Sequence, residues 1–130
     1  RQMCIRDRFE DVQGAEDFEP LGFSIDAPEG AEDVTYCIYD GAIARVDFTL
    51  SRHDYTYEAA KLDGNFSRAD GEAIGSVSLN AKYDATLDRL SPDVWRVHWS
   101  KDGVSYYLTN FDGVEESAIT GVADTLMESN

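Results

Sequence analysis

The chain has 130 residues and sets 26 acidic side chains against 11 basic ones, a formal net charge of −15. Such a charge excludes nucleic acid and anionic lipid surfaces as partners, because both are held by clusters of Lys and Arg; it leaves a solvated acidic surface or a cationic partner. The length suits one domain with one hydrophobic core, and no stretch approaches a membrane span.

The first eight residues, RQMCIRDR, differ from the remainder of the chain: three arginines, one acid, a cysteine and a methionine. The codons AGA CAG ATG TGT ATA AGA GAC AGN encode this string, and they resemble the end of a transposon-type sequencing adapter followed by a second copy. Residues 1–8 are therefore set aside as a non-native scar, which implies that the natural N-terminus has been lost. Without them the net charge falls to −17 over 122 residues, and Cys37 is left as the one native cysteine, so no intrachain disulfide is expected. Its place in an alternating apolar run predicts a small buried hydrophobe.

Residues 9–33 carry nine acids and no Lys or Arg. The part from 9 to 19 reads as an acidic, weakly ordered lead-in, and the single domain is placed at 20–130. LGFSIDAP reads as a short strand closed by Pro28 and Gly30. In VTYCIYDGAIARVDFTL, Asp40-Gly41 marks a two-residue hairpin turn between two runs of β-formers. Val34, Tyr36 and Ile38 share a face before it; Ala42, Ala44, Val46, Phe48 and Leu50 share one after it. Ile43, Arg45, Asp47 and Thr49 point the other way, the pattern of a sheet with one buried and one largely wet face.

SRHD reads as the next turn and YTYEAAKL as the third strand of a meander. LDGNFSRADGEAIG, with three glycines, is a loop. In SVSLNAKYDATLDRL, Val77, Leu79, Ala81, Tyr83, Ala85 and Leu87 keep strict period two, which predicts one long strand. Ser91-Pro92-Asp93 turns the chain, VWRVHWS sets Trp95, Val97 and Trp99 against Arg96 and His98, and Lys101-Asp102-Gly103 turns it again into VSYYLTNF. Ile119, Val122, Ala123, Leu126 and Met127 then fall on one face of an amphipathic helix, with Asp112 and Glu115 at capping-box spacing before it. A helix this short is not stable alone and must pack on the sheet. The fold expected is α+β: an antiparallel meander of six or seven strands with one C-terminal helix on its apolar face.

The hairpin TYCIYDGAIARVDFTL with YTYEAAKLDGNFS, the ending VHWSKDGVSYYLTNFDG and the helix EESAITGVADTLM resemble the bacterial Domain of Unknown Function 4367, from about Glu19 to Glu128. The resemblance implies an extracytoplasmic setting, in a lipoprotein or beyond a membrane segment, sometimes in anti-sigma-type regulators. It carries over no catalytic residue.

Residue chemistry is sparse. His53 lies in a predicted turn and His98 on the strand face opposite the tryptophans, exposed or paired with a carboxylate. Ser51, Asp54 and Cys37 could be drawn with them into a triad, but no nucleophile motif such as G-x-S-x-G is present. Asp63, Asn65 and Ser67 begin like a calcium loop, which then has Arg68 where Gly is needed and Ile74 where the bidentate Glu should stand, with Asp70 and Glu72 nearby. Tyr36, Tyr55, Tyr57, Tyr83, Tyr106 and Tyr107 fall in predicted strands, as core-edge and cross-strand residues or as the lining of a ligand surface. The expectation is a monomeric, non-enzymatic, extracytoplasmic binding or sensory module of a bacterial cell-envelope protein, lipoprotein-type, whose partner is an unidentified protein or small ligand. No catalytic, cofactor-binding or metal-binding residue is assigned, and this segment itself makes no membrane contact. The alternative is the C-terminal sensory domain of a membrane-bound anti-sigma-type regulator.

Overall fold

A computed structural model describes residues 9–129; the scar assigned to residues 1–8 lies outside them. The described residues form an α+β domain. Strands β1 (Phe9–Val12), β2 (Glu32–Tyr39), β3 (Ile43–Leu50) and β4 (His53–Ala60) make one antiparallel meander. A second is made by β5 (Gly75–Asn80), β6 (Ala85–Ser91), β7 (Val94–Lys101) and β8 (Val104–Asn110). They join through antiparallel β4 and β8, giving the order β1-β2-β3-β4-β8-β7-β6-β5. Helix α1 (Glu116–Ser129) follows β8.

The eight strands differ from the six or seven expected at three places. The acidic lead-in is part of the fold: β1 pairs with β2 from Phe9↔Tyr39 to Val12↔Tyr36, and a 3-10 helix spans Ala15–Leu21. That helix holds Phe18 fully buried, and Asp17 accepts the Gln13 and Gly14 N–H groups at its start. LGFSIDAP is not a strand. Leu21 ends the 3-10 helix, Gly22 turns at φ +89°, and residues 23–28 pair with no ladder. Ile25 is buried from this segment, and Asp26 accepts the Tyr36 hydroxyl at 2.6 Å. Burial and that carboxylate push the Tyr36 phenol up to about 12.

The third difference is SVSLNAKYDATLDRL, a hairpin rather than one strand. Residues 81–84 turn the chain, with Asn80 Oδ1 accepting the Lys82 N–H and Asp84 at φ +54°. Asn80 pairs with Ala85 across the turn, and a one-residue register shift between Ser78 and Asn80 then sets Val77 opposite Leu87. Odd positions thus return to the same face, and the period-two pattern carries on past the turn. Tyr83 therefore belongs to a turn, although its ring reaches the core. The other turns fall as expected. Asp40-Gly41 and Asp102-Gly103 both lie at positive φ, with Ala42 an extra residue beside the first before Tyr39 pairs with Ile43. Ser51-Arg52 also sits at positive φ without a glycine, and His53 and Asp54 open β4 instead of completing that turn.

One face of the sheet meets α1. Ile38, Ala44, Val46 and Phe48 lie on it, as the alternation predicts, together with Trp95, Val97 and Trp99. All five periodic helix residues are buried against it. The Trp95 indole N–H donates to the Val114 carbonyl at 2.7 Å, fixing the approach to the helix. Asp112 is not its cap: the first turn closes on the Glu115 carbonyl, which accepts the Ala118 and Ile119 N–H groups. No helix among the described residues is long and apolar enough to cross a membrane.

The opposite face is not the wet surface the alternation suggests. Thr56, Glu58, Asp88, Arg96 and Thr109 are all buried there, and so is Cys37. Strand order is the cause. β4 lies mid-sheet and β5 at the far edge, so residues 61–74 must cross from one to the other, and they do so over this face.

Candidate functional site on the polar face

Antiparallel register lines up polar side chains in rows across this face. One row runs Asp88, Arg96, Thr109, Thr56, Asp47, Thr35, and its neighbour His98, Tyr107, Glu58, Arg45, Cys37. Opposite charges thus fall side by side at two places, across β3–β4 and across β6–β7. Arg45 donates from Nε and Nη2 to Glu58 Oε2 at 3.1 and 3.0 Å. Arg96 donates in the same way to Asp88 Oδ2 at 3.1 and 2.9 Å, and Ser76 donates to the other Asp88 oxygen.

These pairs also fasten the crossing segment. The Arg68 N–H donates to Glu58 Oε1, Arg96 Nη1 to the Ala69 carbonyl at 2.8 Å, and the Tyr107 hydroxyl to the Gly64 carbonyl. Phe66 packs edge-on against Tyr107. Residues 61–74 are thus a strap held over buried charges. Burial pushes the Glu58 carboxyl above its ordinary value, and Arg45 with the Arg68 N–H opposes the shift.

The strap covers only part of the face. Beside it, toward β1–β3, lies an open groove of about 650 Å³, within the range of small-molecule sites. Thr35, Asp47, Thr49, Thr56 and Thr109 lie along it, Phe9 and Phe111 stand as apolar walls, and Arg68 reaches in from the strap. Arg68 donates to Thr56 Oγ1 at 3.0 Å, lies 3.9 Å from Asp47 and sits 5.2 Å over the Phe111 ring. Thr56 in turn donates to Asp47 at 2.6 Å. The Thr109 hydroxyl is buried without a hydrogen-bond partner.

Asp112 closes the far end. It accepts from the Asp54 N–H at 3.0 Å, the Asn110 amide at 2.8 Å and His53 Nδ1 at 3.0 Å, so it ties the start of β4 to the end of β8. Partial burial raises its pKa, but those three donors outweigh burial and hold it below the ordinary 3.8. A carboxylate depressed in the folded state stabilises fully above its unfolded pKa and loses that contribution as pH falls through the folded value. The melting-temperature gap between the wild type and Asp112→Asn is therefore expected to be constant near neutrality and to shrink below about pH 4. A gap that stayed constant down to pH 2 would mean that Asp112 acts through shape alone.

The residues singled out in the sequence do not converge. His53 pairs with Asp112, and His98 with Asp88 at 3.2 Å, the carboxylate partner allowed for it. Ser51 stays in its turn, Asp54 accepts from Thr49, and Cys37 is buried as expected. In the calcium-like stretch Asn65 and Ser67 bond each other and the Ala69 carbonyl. Among the described residues no three His, Cys, Asp or Glu side chains stand close enough to hold a metal ion. Of the residues that do gather at the strap and groove, Arg45 and Glu58 carried only the weak signal of polar positions alternating with β-formers, Arg68 stood in a turn-rich loop, and Asp112 read as part of a helix cap. No family model, curated protein or solved structure matches the chain, and its own geometry carries the functional reading.

Proposed function

We propose that this chain is a non-enzymatic, extracytoplasmic binding or sensory module of a bacterial cell-envelope protein of lipoprotein type, and that it binds through the groove on its polar face. The groove itself carries this reading. One face of the sheet is taken up by α1 and the core, while the other is left open beside a strap fastened by buried ion pairs. A rigid floor with hydroxyls, carboxylates and two aromatic walls suits recognition of a small polar ligand. Three of its charged groups already have structural partners: Arg45 donates to Glu58, Asp54 accepts from the Thr49 hydroxyl, and Asp112 holds two strands together. That arrangement favours binding over acid–base chemistry, which needs a proton-transfer group facing the ligand. The extracytoplasmic setting rests on the resemblance of the hairpin and the Trp-bearing strand to Domain of Unknown Function 4367.

Two measurements test the reading. Titrating isotope-labelled protein with amines, neutral sugars and dicarboxylates is expected to shift the amides of Thr35, Thr56 and Phe111 ahead of the rest. Shifts confined to another surface would move the site elsewhere. Reading the source gene upstream of Phe9 is expected to reveal a signal peptide with a lipobox cysteine; a native start at Phe9 would overturn the envelope setting.

A further inference from the structure

We propose that the groove takes a small organic cation, an aliphatic chain bearing ammonium or guanidinium groups, and that the Arg68 guanidinium occupies the seat this cation would take. The inference rests on the binding-module reading and names its ligand class. Charge is the first ground. Asp33, Asp47, Asp54 and Asp112 border the groove against Arg45 and Arg68, and Arg45 is already neutralised by the buried Glu58 at 3.0 Å. Removal of Arg68 would leave four carboxylates around one open cleft, where low-dielectric walls concentrate their field on an entering cation.

Arg68 is held as a placeholder would be. Its carboxylate contact is long, at 3.9 Å, and its side chain is 46% exposed. The strap is fastened separately, by the Arg68 N–H on Glu58 and by Arg96 on Ala69, so the guanidinium can swing out while the strap stays down. The seat it would vacate is complete for a cation: the Thr56 hydroxyl, the Asp47 carboxylate and the face of Phe111.

Thr109 supplies the independent ground. Its hydroxyl is buried on the groove floor with no partner, directly across the ladder from Thr56. A buried hydroxyl left unpaired is destabilising. An ammonium has three donors, so one seated over Thr56 could bond Asp47, Thr56 and Thr109 together. Phe9 offers the methylenes of the same ligand an apolar wall.

The test is calorimetry of the whole chain with agmatine and with spermidine, at low and at physiological salt. Saturable one-to-one binding is expected. Arg68→Ala should tighten it roughly three- to tenfold, because a competing cation is gone. Asp47→Asn, which keeps the acceptor for Thr56, should weaken it about tenfold, and Asp124→Asn on α1 should change nothing. Equal losses from Asp47→Asn and Asp124→Asn would mean general attraction to an acidic surface, and would overturn the proposal. So would weaker binding in a folded Arg68→Ala or Arg68→Gln, which would make Arg68 part of the wall. Groove amides that respond only to sugars or dicarboxylates would sink the cation but leave the binding groove standing. Silence from every class would remove both.

Discussion

Glu58→Ala is expected to lower the unfolding free energy by about 3–5 kcal/mol, the cost of breaking one partner out of a buried ion pair. Glu58 has no solvent exposure, and its two oxygens take three donors, two from Arg45 and one from the Arg68 backbone. Truncation leaves an uncompensated guanidinium against the rings of Phe9 and Tyr39 and releases one fastening of the strap. Replacing Arg45 and Glu58 together with apolar side chains of similar volume should recover most of the loss, since the pair itself contributes little net stability. Urea unfolding of the three variants decides this; a loss under about 1 kcal/mol in Glu58→Ala would mean that water reaches the site. The pH dependence has the opposite sign to that of Asp112. Burial raises the Glu58 pKa, with Arg45 opposing it, so the folded state holds this proton more tightly than the unfolded chain. Its favourable contribution is full below the ordinary 4.5 and is lost as pH rises through the folded value.

Trp99→Ala is expected to cost about 3–5 kcal/mol, the usual range for emptying a buried aromatic site. Its ring stacks on Tyr106 at 5.5 Å and on Tyr57 at 5.9 Å, in the layer beneath α1. Conversion to Phe should separate the two tryptophans of β7. The Trp99 indole nitrogen is buried and unpaired, so Trp99→Phe removes a destabilising group along with some volume. Trp95→Phe instead strands the Val114 carbonyl, which its indole N–H satisfies at 2.7 Å. Trp95→Phe is therefore expected to be the worse of the two by about 1–2 kcal/mol. The reverse order in matched urea titrations would show that ring volume, rather than the hydrogen bond, sets the difference.

The candidate site was legible only in fragments. Alternation placed Arg45 and Asp47 away from Val46, and Arg96 and His98 away from the tryptophans, all correctly. Period two says which face a side chain takes, but not which strand lies beside it or what covers the result. Arg45 meets Glu58 because β3 pairs with β4 in one register, and Arg68 arrives from a loop that carried no signal beyond turn residues. Asp112 shows the same limit: a spacing that reads as a helix cap serves instead to join β4 to β8.

By itself the sequence determined the α+β class, the turns at Asp40-Gly41 and Asp102-Gly103, the apolar faces of β3 and β7, and the buried stripe of α1. Each depends on local backbone preference or on a periodicity within one element, which neighbouring residues carry in full. Tertiary structure alone decided that two meanders join at β4 and β8, and that an odd–even pattern from Val77 to Leu87 folds back on itself. It also decided that the polar face lies half under a strap. Those outcomes depend on which strands become neighbours, and pairing energy between strands distant in sequence leaves no mark on either one alone.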